Sequence, residues 1–248
     1  MADVDPLSHV LAQLESARPE LDKYPPSGFG WYSRAISAAK SLVPWLATEA
    51  QGLRLYVEEV LNSPALLRTA WAAIKSQIDA PAEIARIHEL FAMEGVLLEF
   101  VAGDTVSIVV TGHLLSRFPG QNLAGNSKSD YPDIFLKSND YSQLPVRSKR
   151  ESVIGAAVRG KEKKPVRIPD GLEIKTSRNG ASIDCHYPHV GLHLMVCFQT
   201  TGERVVVDDV LVAFLQNADY RITQPKTKAT TLKASFSRAP FVSLLPRD

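Results

Sequence analysis

Two short stretches set carboxylates among strand-forming residues: Tyr131-Pro132-Asp133-Ile134-Phe135-Leu136 and Gly171-Leu172-Glu173-Ile174-Lys175-Thr176-Ser177. A carboxylate at one strand end, with a second from a neighbouring strand, can hold a divalent cation. Mg²⁺ takes oxygen ligands in octahedral geometry and keeps several waters. Asp133 and Glu173 would each give a carboxylate oxygen, and the main-chain carbonyl of Ile174 a third. Lys175 stands two residues after Glu173, so on a strand both project from one face. There Lys175 would orient or help deprotonate a water whose pKa the metal lowers, while the metal stabilises charge on a phosphate. The reaction class is in-line hydrolysis of a phosphodiester.

Pro132-Asp133, followed 40 residues later by Glu173-Ile174-Lys175, resembles the motif of the PD-(D/E)xK nuclease superfamily. That resemblance implies that Asp133 and Glu173 bind Mg²⁺ and that Lys175 serves the catalytic water. It implies a restriction-endonuclease-like fold, a mixed β-sheet flanked by helices. The best-known members are type II restriction endonucleases, many of them homodimers. The implied activity is cleavage of double-stranded DNA at a short specific sequence, with a separate DNA methyltransferase protecting the host. In some nucleases of this class an upstream helical Glu completes the metal site. Glu89 and Glu94 are candidates for that role, and Glu99 on the following segment is another. Asp170 also follows a proline but lies three residues before Glu173, too near to come from a separate strand.

Other readings of the same residues are a modification-dependent nuclease, a repair nuclease of the same superfamily, and a non-catalytic DNA-binding protein with an inert Glu-x-Lys strand. The plainest is a turn aspartate beside a surface Glu–Lys pair.

The charge distribution points to a polyanion. The net charge is +1, yet residues 1–146 carry 11 Lys and Arg against 17 Asp and Glu. Residues 147–178 carry 10 against 4, and residues 221–248 carry 6 against 1. Such local basic segments suit a nucleic-acid face. Lys149, Arg150, Arg159, Lys161, Lys163, Lys164 and Arg167 are the DNA-binding candidates of the basic insertion, Arg147 adding to its charge. Lysines there suit phosphate contacts, and an arginine could read guanine in the major groove. Arg178 and Asn179 directly follow the catalytic strand and are further DNA-binding candidates. So are His186 and His189, which with His193 put half of the six histidines into Asp184–His193. A zinc site built from these histidines and Asp184 is the alternative use of that stretch; Pro188 stiffens it and no Cys pair assists. Two loop histidines and one strand histidine is the bland reading.

These residues need elements to hold them. Residues 1–94 read as helical. Leu7, Val10, Leu11 and Leu14 mark one amphipathic face. Pro25-Pro26-Ser27-Gly28 breaks the chain. A second helix spans Trp31 to Leu61, with Pro44 expected to kink or divide it. Further helices are expected at 64–78 and from Asp79 to Met93, ended by Gly95. Trp31, Trp45 and Trp71 read as core anchors. From residue 95 the texture changes to strands: 96–101 and 105–110, joined by a hairpin at Ala102-Gly103-Asp104. Residues 116–130 read as a loop, 131–136 as a strand, 137–169 as a long basic loop, and 172–176 and 190–198 as strands. A short helix is expected at Asp208–Asn217, with late strands at 220–222 and 230–236. Helices first and strands after predict an α+β (α/β) fold, with a helical part at 1–94 and, as the resemblance implies, a catalytic and DNA-binding core at 95–248, or the two integrated as a single domain.

The composition bounds the rest. A 45% hydrophobic, 22% charged chain of 248 residues folds into a core rather than staying disordered. No apolar run reaches the roughly 18 residues of a membrane span. The start of the chain lacks the basic and apolar runs of a signal peptide. The expectation is a soluble cytoplasmic protein without a membrane. Cys185 and Cys197 form neither a CxxC pair nor a zinc spacing, and Cys197 reads as a small buried side chain.

Overall fold

The computed structural model describes residues 4–63, 65–67, 69, 102–125, 132–139, 168–178, 182–185, 188–201, 204–223 and 233–246. Helix α1 spans Pro6–Leu21. Asp5 caps it by accepting from the Ser8 backbone N–H at 2.9 Å, and Pro6 in the first turn gives up an N–H that would have no helical partner. Its buried stripe is Val10, Leu14, Ala17 and Leu21. Helix α2 spans Trp31–Leu61, as its periodicity predicts, and is continuous through Pro44. Of the helices expected between 64 and 93, only a few residues from Ala65 to Thr69 fall among the described residues, and they are helical.

Helix α3 spans Ala102–Arg117. This corrects the expected hairpin and strand at 102–110. The run of Thr, Val and Ile has strand propensity, but Val106, Val109, Val110 and Leu114 are buried at helical spacing. Packing of that face against the sheet and α2 overrides the propensity. The expected strand at 96–101 lies outside the described residues. The stretch expected as a loop from 116 holds the end of α3, a 3-10 turn at Pro119–Gln121 and a short strand.

The main sheet has six strands in the order β1-β2-β3-β5-β6-β9. They are β1 (Leu123–Gly125), β2 (Ile134–Leu136), β3 (Leu172–Arg178), β5 (Gly191–Thr201), β6 (Arg204–Leu215) and β9 (Val242–Ser243). The β3–β5 pair is parallel and the other pairs are antiparallel. A second sheet of three antiparallel strands runs β4 (Ser182–Cys185), β8 (Lys233–Ser237), β7 (Tyr220–Thr223). The chain is therefore mixed α+β, with a mostly antiparallel six-stranded sheet flanked by helices.

Strand β6 occupies the stretch expected as a helix at 208–217. The ladder shifts between Cys197 and Phe198, which pair with Asp209 and Val207, so Asp208 is an inserted bulge residue. The extra residue changes the spacing of buried positions from two to three. Val207, Val210, Leu211 and Phe214 then stand at i, i+3, i+4 and i+7, which reads as a helix although the backbone is extended.

The register sorts the sheet's two faces. Leu172, Ile174, Leu192, Leu194, Val196, Val210, Val212 and Phe214 face the helices in the larger core. Met195, Cys197, Leu211, Ala213 and Leu215 face Tyr220 and Phe236 of the second sheet in a smaller one. Trp31 is buried and Trp45 packs against the larger core, as expected of anchors; Trp71 lies outside the described residues. Cys197 is buried with a free thiol. Among the described residues no helix is long and apolar enough to cross a membrane.

Candidate active site

Ile134 pairs with Leu172 where β2 runs antiparallel to β3. One step along that register sets Asp133, just before β2, opposite Glu173, the second residue of β3. The chain can approach this closely because position 171 is glycine: a Cβ there would stand 2.1 Å from Pro132 Cγ and 2.6 Å from the Ile134 carbonyl oxygen. Pro132 and Gly171 thus occupy space that a side chain would fill.

Two hydrogen bonds cross between the strands. The Ile174 backbone N–H donates to Asp133 Oδ2 at 2.7 Å. The Asp133 backbone N–H donates to Glu173 Oε2 at 3.2 Å. In an extended strand a residue's N–H and C=O leave the same edge, so the Ile174 carbonyl also points to the edge that faces Asp133. Lys175 Nζ lies 2.5 Å from Glu173 Oε1, the side chains of both projecting from the sheet face that carries the smaller core.

The electrostatics follow from burial. Glu173 is 3% exposed. Burial, and then the negative charge of Asp133, push its carboxyl up to about 8, against the opposing pull of Lys175. A buried carboxyl held beside a half-buried carboxylate is an arrangement that a divalent cation relieves. The donor set is two hard carboxylate oxygens and a carbonyl, which suits Mg²⁺ rather than a softer metal. Among the described residues no group of three or more His, Cys, Asp or Glu side chains is arranged around a common metal position. The residues present fit Mg²⁺ with waters completing its shell.

His193 is the register partner of Glu173 on β5 and is fully buried. Its Nδ1 lies 2.8 Å from the Gly191 carbonyl oxygen, which requires the proton on Nδ1. Its Nε2 lies 3.1 Å from the Tyr220 hydroxyl, whose single proton goes either to that nitrogen or to the His189 carbonyl oxygen 2.9 Å away. Burial, with the charge of Lys175 second, pulls His193 down to about 3, so the ring is neutral. Among the described residues His193 belongs to no group of three or more His, Cys, Asp and Glu side chains that could hold a metal. A narrow cleft opens beside these groups, walled by Pro132, Gly171, Glu173, His189, Val190 and His193.

Of the residues singled out by sequence, Asp133, Glu173, Ile174 and Lys175 come together. His189 is buried in the cleft wall rather than on an open face. Arg178, exposed at the end of β3, donates to Thr200 Oγ1 at 2.5 Å. Lys149, Arg150, Arg159, Lys161, Lys163, Lys164, Arg167, Asn179 and His186 lie outside the described residues, as do Glu89, Glu94 and Glu99. Sequence reading missed the roles of His193, Tyr220 and Arg34. Tyr220 opens a strand that reads as peripheral, and nothing in the spacing of Arg34 ties it to a residue 136 positions away.

Comparison of the chain with protein-family models, curated proteins and solved structures finds no match.

Proposed function

We propose that this chain is a Mg²⁺-dependent endonuclease with a restriction-endonuclease-like core, cutting double-stranded DNA at a short specific sequence as type II restriction enzymes do. The observation that carries the reading is the pairing of Asp133 with Glu173 across β2 and β3, with Lys175 on the same face. Asp133, Glu173 and the Ile174 carbonyl would hold Mg²⁺. The ion would lower the pKa of a bound water and stabilise charge on the phosphate. Lys175, held by Glu173 Oε1, would orient the attacking water. Glu173, whose carboxyl burial pushes up to about 8, would give up its proton for the cation to bind. Buried His193 keeps the start of β5 fixed behind Glu173 through Gly191 and Tyr220.

The basic segment at 147–178 would supply phosphate contacts in this reading, and a homodimer would present two such centres to a duplex. A separate methyltransferase would protect the host's sites. The test is incubation of purified protein with plasmid and phage DNA in Mg²⁺ or EDTA. Discrete Mg²⁺-dependent fragments support a sequence-specific endonuclease. Cutting restricted to methylated or branched DNA assigns the centre to a modification-dependent or repair nuclease. Binding without cutting of any substrate in Mg²⁺ rejects the enzyme in favour of a DNA-binding protein.

A further inference from the structure

Asp170 closes the turn that enters β3 and is completely buried. Its Oδ2 accepts from Arg34 Nε of α2 at 2.7 Å and from Asn139 Nδ2 at 3.1 Å. Asn139 itself follows β2, its backbone N–H donating to the Leu136 carbonyl at 3.0 Å. Arg34 is held in turn by aromatic rings, its guanidinium 4.7 Å from the Phe29 centroid and 5.7 Å from that of Trp31. One buried carboxylate oxygen thus joins three pieces: the first turns of α2, the exit of β2 and the entrance of β3. Those two strands carry Asp133 and Glu173. Asp170 is three residues from Glu173, and Gly171 between them is pressed on Pro132. A charged hydrogen bond at such a position holds geometry more tightly than apolar packing, because its partners have directional demands.

We propose that Arg34, acting through Asp170 and Asn139, is a positioning residue that fixes the separation of the Asp133 and Glu173 carboxylates, so that helix α2 is part of the site's construction. The proposal's consequence for Mg²⁺ rests on the function proposed above; its consequence for the strand pair does not. The metal-free full chain therefore comes first. Amide hydrogen exchange is measured at Asp133 and Ile174, whose N–H groups make the crossed bonds, with Leu194 and Val212 of the β5–β6 pair as internal references.

Arg34→Gln leaves the Asp170 charge buried without its cation and risks the whole fold, so the principal variant is the double substitution Arg34→Gln/Asp170→Asn, which removes both charges. The milder Asn139→Ala cuts only the link to β2. The expected result is exchange at Asp133 and Ile174 at least about tenfold faster in both variants, with the references within about twofold of wild type. Arg34→Lys, which keeps the charge but not the planar donor, restores part of the protection. Unchanged exchange at Asp133 and Ile174 overturns the proposal, as does an equal rise at the references, which would mark general destabilisation.

Mg²⁺ titration and plasmid cleavage follow. The half-saturating Mg²⁺ concentration is expected to rise about tenfold or more in the double variant, with kcat lowered and KM for DNA unchanged. Exchange that responds selectively in a wild-type chain that neither binds Mg²⁺ nor cuts any DNA would leave the clamp standing and reject the nuclease reading. Exchange that responds while Mg²⁺ half-saturation stays at the wild-type value overturns the link between the clamp and the metal site.

Discussion

Asp133 and Glu173 face each other across an antiparallel strand pair, and the Asp133 backbone N–H donates to Glu173 Oε2 at 3.2 Å although both side chains are acids. Folding forces the two together: Gly171 admits Pro132, the strands close, and the buried Glu173 carboxyl is left against the half-buried Asp133. Glu173 responds by holding its proton up to about pH 8. Acids perturbed by burial and a named charged neighbour cluster at functional sites.

Replacing either acid should stop cleavage while leaving the fold. Asp133→Asn and Glu173→Gln keep the shape and remove a ligand charge. A loss of at least about 100-fold in rate is expected, since even outer-shell partners of metal ligands are worth 10 to 100-fold. Far-ultraviolet circular dichroism should match wild type. A Glu173→Gln variant that cuts at the wild-type rate would remove Glu173 from the site.

The metal-free chain should lose stability as pH rises. The folded pKa of Glu173, about 8, lies above its ordinary 4.5, so the folded chain holds a proton that the unfolded chain has released between those values. This contribution is full below about 4.5 and is lost as pH climbs to about 8. Glu173→Gln removes the dependence. Mg²⁺ must displace the same proton, so its effect on Tm should be larger at pH ~9 than at pH ~6. Thermal melts with and without Mg²⁺ across that range check both statements.

Acid should destabilise the chain through His193. Its folded pKa, about 3, lies below the ordinary 6.5, so the unfolded chain takes up a proton that the folded chain refuses. The stabilisation is present above about 6.5 and is lost as pH falls toward about 3. Tyr220→Phe deletes the hydroxyl beside Nε2 and should cost about 1–2 kcal/mol, read by urea unfolding at neutral pH. An unchanged unfolding midpoint would show that the Tyr220 hydroxyl contributes nothing to the core.

Gly171→Ala should be the most damaging small substitution near the site. The new methyl would overlap Pro132 and the Ile134 carbonyl oxygen, which is backbone and cannot swing away. A loss of about 3 kcal/mol or more is expected, at or above the upper end for overpacking. Cleavage should fall further than stability, because β2 must part from β3. Ala at 171 with wild-type Tm would contradict the close approach.

Much of the candidate site's geometry was legible in the sequence because its residues are local to two short segments. Glu173, Ile174 and Lys175 sit in one strand whose apolar flanks announce it, and alternation alone places Glu173 and Lys175 on one face. Asp133 precedes a three-residue strand short enough to be recognised mainly by its Pro-Asp start. The two N-terminal helices were legible from local apolar spacing, although the break expected at Pro44 does not occur and α2 runs through it. The failures were at segments whose local pattern and environment conflict. Residues 105–110 have strand propensity but a helical stripe, and the bulge at Asp208 gave β6 a helix-like spacing.

What the sequence determined by itself was the inventory of donors: two acids, a lysine, and the strands to carry them. That Asp133 stands against Glu173 rather than 40 residues away was decided by the tertiary structure, through the Ile134–Leu172 register and the absence of a side chain at 171. The fold also decided that Glu173 and His193 are dry, which moves one pKa up and the other down. Burial and register depend on what packs from far along the chain, Arg34 and Tyr220 among it, and no local pattern carries that information.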